Sequence, residues 1–215
     1  MSSVKSRREQ YSEATRAALL EAATRRFAED GFAGTSLGGI AADIHATRGA
    51  VYHHFASKTA LFEAVLEAQE TEMVRLVSEA GAHAGTPWEA ARAAMEAFLD
   101  RSCDPVYGRV VWQEAPLALG WRRWKECEEE YALGLIERLM AALMEHGDIA
   151  PLPMEAAARV TFHVLGAAGM ALAEAAEADK PRVRAEYSEV IDRLLSGLRS
   201  RPAPPAPGPP APDRA

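Results

Sequence analysis

Three of the chain's six histidines lie in one short stretch, HATRGAVYHHFASK, which runs from His45 to Lys58. His53 and His54 are adjacent and follow a tyrosine. Histidine can bind a metal ion, transfer a proton or donate a hydrogen bond to an anion, so the stretch could do any of these chemistries. Adjacent positions on a helix point about 100° apart, and no carboxylate accompanies the pair. We therefore expect neither a metal site nor catalytic residues, and favour a surface that binds an anion.

Length, cysteine content and hydropathy narrow the class of protein. The 215 residues are enough to bury a hydrophobic core. Cys103 and Cys127 lie far apart, with no second cysteine or histidine at ligand spacing, so they predict neither a disulfide nor a zinc site, and a cytoplasmic location is expected. The longest largely apolar run, Val160 to Ala173, is interrupted by His163 and is too short to span a bilayer. We expect a soluble protein without a membrane segment.

Charge is distributed unevenly along the chain, whose formal net charge is −7. Residues 1–60 contain 8 Lys or Arg against 6 Asp or Glu, whereas residues 61–215 contain 16 against 25. Between residues 31 and 58 the only acidic side chain is Asp43, so phosphate would meet little repulsion there. A weakly basic N-terminal part on an acidic body is compatible with one end that binds nucleic acid.

Helix signals cover most of the chain, and the alternating β-branched runs typical of strands are missing, so we predict an all-α fold of about nine helices. Capping residues and prolines at first helical positions give most of the starts. The predicted starts are Ser12, Thr35-Ser36, Thr47, Ser57, Pro87, Pro105, Trp121, Pro153 and Pro181. Residues 201–215 include seven prolines and predict a disordered or polyproline-like tail.

Residues 12–56 predict a three-helix head. A longer first helix covers two short helices joined by a tight turn, which is the arrangement that helix-turn-helix proteins use to project one helix into DNA. In the third helix, Val51 and Phe55 are one turn apart and should face inward. Gly49 and Ala50 keep the leading edge of this helix thin enough to enter a major groove.

The head also carries the motifs of a known family. RAALLEAATRRFAEDGFAGTS, followed by IAADIHATRGAVYHHFASKTAL, resembles the N-terminal domain of TetR-family transcriptional regulators. The resemblance spans roughly residues 16–63 and implies a DNA-binding domain at 12–56 and a ligand-binding and dimerisation domain at 57–200. It further implies a sequence-specific regulator, a repressor that a small-molecule effector releases from a palindromic double-stranded DNA operator.

The turn between the two short helices departs from the family. Ile44-His45-Ala46 stands where alanine-glycine-valine is usual. The glycine commonly adopts a left-handed backbone conformation that residues with a β-carbon resist. We expect strain of about 1 kcal/mol at His45, or a slightly reshaped turn.

The resemblance implies DNA contacts for nine residues of the head. Thr35 or Ser36 would contact a phosphate at the start of the second helix. Thr47 and Arg48 would contact backbone and base edges, with Arg48 the expected guanine contact. The other five would allow close approach (Gly49), lie against bases (Ala50, Tyr52) or hold phosphates (His53, Lys58).

The body contains aromatic, thioether and polar residues that are typical either of a helical core or of a cavity between helices. Similarity to TetR-like regulators favours the cavity, because their C-terminal domains bind effectors there. We predict a largely apolar effector and no cofactor. The run Glu128-Glu129-Glu130 is interpreted as a solvated helix face. The predicted lining residues are Phe98, Trp112, Gln113, Trp124, Met140 and His163.

The last two predicted helices carry stripes of small and aliphatic residues. In isolation such stripes indicate core, but in a TetR-like chain these helices pair with their twins in a homodimer. Two heads would then read a near-palindrome, with recognition helices about 34–36 Å apart. The stripe residues are Val160, Val164, Ala167, Ala168, Ala171, Ala175, Val190, Leu194 and Leu198.

Two other classes of protein stay open on the sequence. A small helical enzyme could use His163 with Glu114 or Cys127, although no set of nucleophile, base and orienting group is visible. A ligand-binding or protein-interaction module could keep the head without binding DNA.

Overall fold

A computed structural model describes residues 7–199 of the protein, apart from the side chain of Arg8. The all-α prediction is confirmed, because helices account for most of this range. The predicted tail at 201–215 lies outside the described residues. The helices are α1 Arg7–Gly34, α2 Leu37–Asp43, α3 Arg48–His54, α4 Lys58–Ala82, α5 Pro87–Ser102, α6 Pro105–Tyr107, α7 Ala115–Leu119, α8 Trp121–His146, α9 Met154–Glu174 and α10 Lys180–Gly197, with a π-helical segment, Gly108–Glu114, between α6 and α7.

Side-chain caps begin most of the helices where the sequence predicts them. Ser36, Thr47 and Ser57 each accept a hydrogen bond from the backbone N–H three residues later, at 3.1, 3.2 and 3.0 Å. Thr86 and Asp104 do the same for α5 and α6, at 3.2 and 2.8 Å. These caps satisfy N–H groups that a helix leaves unpaired at its start. The first helix instead begins before its predicted start, since the arginine, glutamate and glutamine residues there favour helix.

In the turn before α3, His45 has the left-handed backbone conformation that is expected of the glycine usual in the family at this position. Within residues 7–199, His45 is the only non-glycine residue with a positive φ, 55°. The His45 N–H donates to the Ala42 carbonyl at 3.1 Å, and the Ala46 N–H donates to the Ala41 carbonyl at 2.9 Å. This pair of bonds is the Schellman ending of a helix. The turn therefore has a standard backbone shape, with a histidine at its strained position.

One hydrophobic core joins the head to the start of the body. The Phe27 and Phe62 rings lie 5.0 Å apart between centroids, and the Phe32 and Phe62 rings lie 5.4 Å apart. Val51 and Phe55 anchor α3 in this core with 0% and 5% exposure, so the prediction that they face inward is confirmed. Because Phe62 belongs to α4, the long helix that enters the body is packed into the head at its first turns.

The body is built from layers of long helices. The helix pair α4 and α5 packs on α8, α8 packs on α9, and α10 packs on α9 and α5. The π-helical segment lies against both α1 and α9. Gly169 permits the last contact, since a β-carbon at this position would lie 2.4 Å from the Trp112 ring.

The helix α9 is longer than the apolar run from Val160 to Ala173 that the sequence indicated, and by length and composition it could cross a bilayer. It has 21 residues, a mean hydropathy of 1.3 over its most apolar window, and only 22% of that window is buried. The sequence estimate was too short because the helix begins before Val160, at Met154. Length and composition alone are weak grounds for a membrane span, since the core helix of a soluble protein passes the same test.

Candidate DNA interface and ligand cavity

The outer side of α3 brings together most of the residues predicted to bind DNA. Thr47, Arg48, Gly49, Tyr52 and His53 are all exposed on or just before this helix. Ala50 lies beside them and is half-buried, and Ser36 is exposed at the start of α2. The face therefore presents hydroxyl, guanidinium and imidazole groups around a glycine and an alanine, which leave room for a base edge.

Two side chains of this face are already paired. The Arg48 guanidinium donates a hydrogen bond to the Tyr52 hydroxyl at 3.2 Å and lies 5.5 Å from the centroid of its ring. The nearby acid Asp43 is bound by the Arg26 guanidinium at 2.6 and 2.8 Å. This hydrogen bonding lowers the pKa of Asp43 below its usual value. The carboxylate thus faces a cation of the head's own, which reduces its repulsion of phosphate.

Two of the nine predicted contacts have their polar atoms engaged inside the head. Thr35 is 2% exposed, and its hydroxyl lies 3.1 Å from the Arg26 carbonyl and 2.8 Å from the Gly31 carbonyl. The Lys58 ammonium donates to the Phe32 and Thr35 carbonyls, at 2.7 and 3.0 Å. The Thr35 side chain is therefore not available to a phosphate, and Lys58 keeps one of its three N–H donors. At these two positions, the residues that the family motif specifies hold the helices of the head together.

His54 is turned toward the head's own packing surface. It is half-buried at the end of α3, and its ring centroid lies 6.4 Å from that of Phe55. Burial lowers the pKa of His54 below that of a free imidazole. Among residues 7–199, no group of three or more histidine, cysteine or acidic side chains is arranged to hold a metal ion.

A cavity of about 330 Å³ lies in the body, with lining residues on α4, α5, α6, α8, α9 and α10 and on the π-helical segment. Three of the six predicted lining residues, Phe98, Trp112 and Met140, belong to its wall. Most of the remaining wall is aliphatic or aromatic, as expected for a site that holds an apolar molecule.

The other three predicted lining residues lie elsewhere. The Gln113 amide donates to the Ala173 carbonyl and so ties the π-helical segment to α9. Trp124 is buried behind the wall, with its ring centroid 5.8 Å from that of Trp112. His163 is exposed on α9. The sequence indicates that these residues belong to the body, but the direction in which each side chain points depends on how the helices pack.

Sequence reasoning missed all three titratable residues of the cavity wall, Glu70, Tyr107 and Glu128. The Tyr107 hydroxyl donates to Glu70 Oε1 at 3.0 Å. Glu128 is 4% exposed, so its interpretation as part of a solvated face is wrong. Its neighbour Glu130 is exposed, because adjacent helical positions point in different directions. The available signal was spacing: Glu128 stands four residues before Ala132, on the apolar stripe of α8.

The surroundings of the two cavity carboxyls disfavour their charged forms. Burial raises the pKa of Glu70 to about 7, against the weaker opposing effects of the Tyr107 hydrogen bond and of the Arg101 charge. Burial, together with the nearby charge of Glu70, raises the pKa of Glu128 well above the usual range of a carboxyl group. At least one of the pair therefore keeps its proton near neutral pH.

A third buried acid, Glu114, links the body to the head. Its carboxylate accepts a hydrogen bond from the Phe32 N–H at 2.7 Å and pairs with the Arg109 guanidinium at 2.8 Å. Gly31 makes room for it, since a β-carbon there would lie 2.9 Å from Glu114 Oε1, and its φ of 71° is one that glycine tolerates. With Glu114 engaged in this way and His163 exposed, the arrangement gives the enzyme alternative no support.

Comparison with known proteins matches both parts of the chain. The family model described as "Bacterial regulatory proteins, tetR family" matches residues 19–65, and that described as "Tetracyclin repressor-like, C-terminal domain" matches residues 88–198. The Transposon Tn10 TetC protein of Escherichia coli is 24% identical over 145 residues, which are 67% of this chain and 73% of that protein. The HTH-type transcriptional regulator AcrR of Shigella flexneri is 40% identical over 70 residues, 33% of each chain.

A solved structure extends the match over the whole fold. A TetR-family transcriptional regulator from Pectobacterium atrosepticum is 30% identical and superposes with a TM-score of 0.77, covering 92% of this chain and 100% of that one. The chain therefore belongs to the TetR family of bacterial transcriptional regulators, ligand-responsive proteins that bind DNA through a helix-turn-helix head and act as repressors.

Proposed function

We propose that this regulator is a cytoplasmic homodimer that reads a near-palindromic operator with α3 and is released from it by a small molecule bound in the cavity. The observation that carries the proposal is the exposed face of α3. Val51 and Phe55 bury the other side of the helix, so its donors are held outward on a rigid support. Rigid presentation of a few donors is what reading of base edges requires.

Each residue of the face has a proposed role. Arg48 contacts a guanine, and its pairing with the Tyr52 hydroxyl orients it toward the groove. Gly49 and Ala50 allow close approach of the helix to the bases. Ser36, Thr47, His53 and the remaining donor of Lys58 contact phosphates, as does the Tyr52 hydroxyl.

The last two helices form the proposed dimer interface. Val160 on α9 is 64% exposed, and Val190 and Leu194 on α10 are each 54% exposed. Met170 and Leu198 add to the same set of exposed apolar side chains. Large aliphatic groups on two neighbouring helices are unfavourable in water, and a second copy of the chain would cover them.

Release of the operator is proposed to pass through α4. This helix carries the cavity residues Met73 and Val77, and at its other end Lys58 binds carbonyls of the head. A ligand that prefers one position of α4 would therefore also set the position of the head. The ligand acts only through its preference for the state in which the two α3 helices do not fit successive major grooves.

The test is selection of DNA fragments by the purified full-length protein, followed by sequencing. We expect a near-palindrome whose half-sites lie one helical turn apart. Failure to enrich any sequence would favour the ligand-binding module that does not bind DNA.

The dimer interface has a separate test. Exchange of Val190 and Leu194 together for glutamate should yield monomers in light-scattering measurements and weaken operator binding, because one head reads only half of the site. A variant that stays dimeric would place the interface on another surface.

A further inference from the structure

The titratable residues of the cavity wall are confined to one region. On α8 the lining residues run along one face from Glu128 to Leu143, a distance of about 22 Å at the helical rise per residue. On α4 they run from Glu70 to Val77. Both stripes begin at a carboxyl group and continue with apolar residues, and the Tyr107 hydroxyl is hydrogen-bonded to Glu70. The cavity is therefore long and apolar, with one acid at the start of its α8 wall and the other at the start of its α4 wall.

These acids have more acceptor atoms than the protein supplies with donors. Oε1 of Glu128 is buried without a hydrogen-bond partner. Glu70 accepts a bond from Tyr107, while the guanidinium of Arg101 is directed to Gln69 at 2.6 Å. Among the described residues, no lysine, arginine or histidine lines the cavity. The Arg101 charge acts on Glu70, but Glu128 Oε1 is buried without a donor, which is costly for a carboxylate. This region therefore favours a ligand that brings a donor and a positive charge.

We infer that the cavity selects lipophilic amines, molecules with an apolar chain or ring system and one protonated nitrogen that lies against Glu70 and Glu128. The inference rests on the proposed function only in taking this cavity as the effector site. An ammonium group offers several N–H donors and a single positive charge, which match a pair of carboxyls that lacks one proton. An anionic head group of the same length would meet repulsion in the same place.

The groups around the nitrogen also predict how binding depends on pH. Tyr107 faces the pair from α6 and stays neutral, since burial raises its pKa well above the usual value. The Arg101 charge acts on Glu70 from α5. The lining residues of α9 and α10 carry no titratable group. A bound cation displaces a proton from the carboxyl pair, so affinity for an amine should rise between pH 6 and pH 8, where the amine itself stays protonated.

The first experiment compares three head groups on one chain. Calorimetric titration of the full-length protein at pH 7.5 with octylamine, octanol and octanoate keeps the apolar part constant and changes only the charge. We expect octylamine to bind at least about tenfold more tightly than octanol, which is about 1.4 kcal/mol, and octanoate to bind most weakly. Equal affinities for octylamine and octanol, or no binding of octylamine, would overturn the inference, and this comparison needs no variant.

The second experiment removes the charge from the wall. In the double variant Glu70→Gln with Glu128→Gln, the preference for octylamine should fall to within about twofold of octanol, while octanol binding is retained. Glu130→Gln is the matched control, because Glu130 is exposed on the same helix. A preference that persists in the double variant would show that the two acids do not select the nitrogen.

Binding of the selected operator by the same samples separates the two proposals. Ligand-free protein that binds the operator but shows no preference among head groups contradicts only the amine selectivity. Ligand-free protein that binds no DNA sequence contradicts the proposed function, whatever it does with octylamine.

Discussion

The DNA-binding face and the cavity present opposite charges in opposite surroundings. On α3 the donors of Arg48 and His53 lie in water, whereas the acceptors of Glu70 and Glu128 are buried in an apolar wall. An exposed cation binds phosphate in competition with dissolved ions, but a buried carboxylate has neither water nor counter-ion and responds through its own proton. The difference shows that, in one chain, ligand binding can depend mainly on salt concentration at one site and mainly on pH at the other.

The largest effect should follow from Arg48→Ala, which removes the main exposed cation of the face from both heads of a dimer. One bidentate contact between arginine and guanine contributes about 1–3 kcal/mol, so two lost contacts should weaken operator binding at least about 30-fold. Fluorescence anisotropy with a labelled operator measures the loss. The control is Arg122→Ala, since this side chain is 94% exposed on α8 and should leave the affinity unchanged. An unchanged affinity in Arg48→Ala itself would remove Arg48 from the interface.

The next effect concerns the stability of the cavity. The pKa of Glu70 is raised to about 7 in the folded protein, so the penalty for its charge is absent below about pH 4.5 and grows as the pH rises toward 8. Glu70→Gln removes the penalty. The free energy of unfolding of this variant, relative to that of the parent, should therefore increase by about 3 kcal/mol from pH 5 to pH 8. Urea unfolding at the two pH values measures it. Glu130→Gln should show no such pH dependence, and a gain of the same size at both pH values would contradict the assignment to a buried charge.

A smaller effect distinguishes the two regions directly by salt. Even if the two Lys58 side chains of a dimer are the only phosphate-neutralising groups, operator affinity should fall about tenfold between 50 and 200 mM salt. Octylamine binding to the buried acids should change less than about threefold over the same range. Titrations of both ligands on one preparation make the measurement. Parallel salt dependence would mean that the cavity acids are not shielded from the solvent.

The smallest effect is expected at the turn before α3. Because His45 has a φ of 55°, His45→Gly should relieve strain and stabilise the head by up to about 1 kcal/mol. Operator affinity should stay within about twofold, because the Schellman hydrogen bonds use only backbone atoms. Thermal unfolding and anisotropy check the two parts. A large loss of either stability or affinity would show that the imidazole has a contact of its own.

The head could be predicted in detail because its signals are local. Caps such as Ser36 and Thr47 act within three residues of their own position, so spacing alone locates the helices. The left-handed conformation at His45 was expected from the family resemblance, which usually has a glycine there, with a slightly reshaped turn as the alternative. Lys58 could not be assigned in this way, since the carbonyls of Phe32 and Thr35 that engage it are brought near only by tertiary packing. The bond from Thr35 to the Gly31 carbonyl is local, but it forms beside the helix kink at Gly31.

The cavity could be predicted only in outline because its signals are long-range. The π-helical segment directs three consecutive side chains to three neighbours: Trp112 to the cavity, Gln113 to α9 and Glu114 to the head. No periodicity of the α-helix describes such a segment. Glu128 is one of three consecutive glutamates. Only its helical spacing from the apolar residues that follow on α8 distinguishes it from the other two.

The hydrogen bond between Glu114 and the Phe32 N–H has a consequence for the construction of chimeric regulators. If the heads of two relatives were exchanged at residue 57, the Phe32 N–H would come from one parent and the Glu114 carboxylate from the other. The incoming head must then supply a glycine at the position of Gly31, or its β-carbon will meet the Glu114 carboxylate. The transferable unit is therefore discontinuous in sequence: it comprises the first three helices together with the short stretch from Arg109 to Glu114.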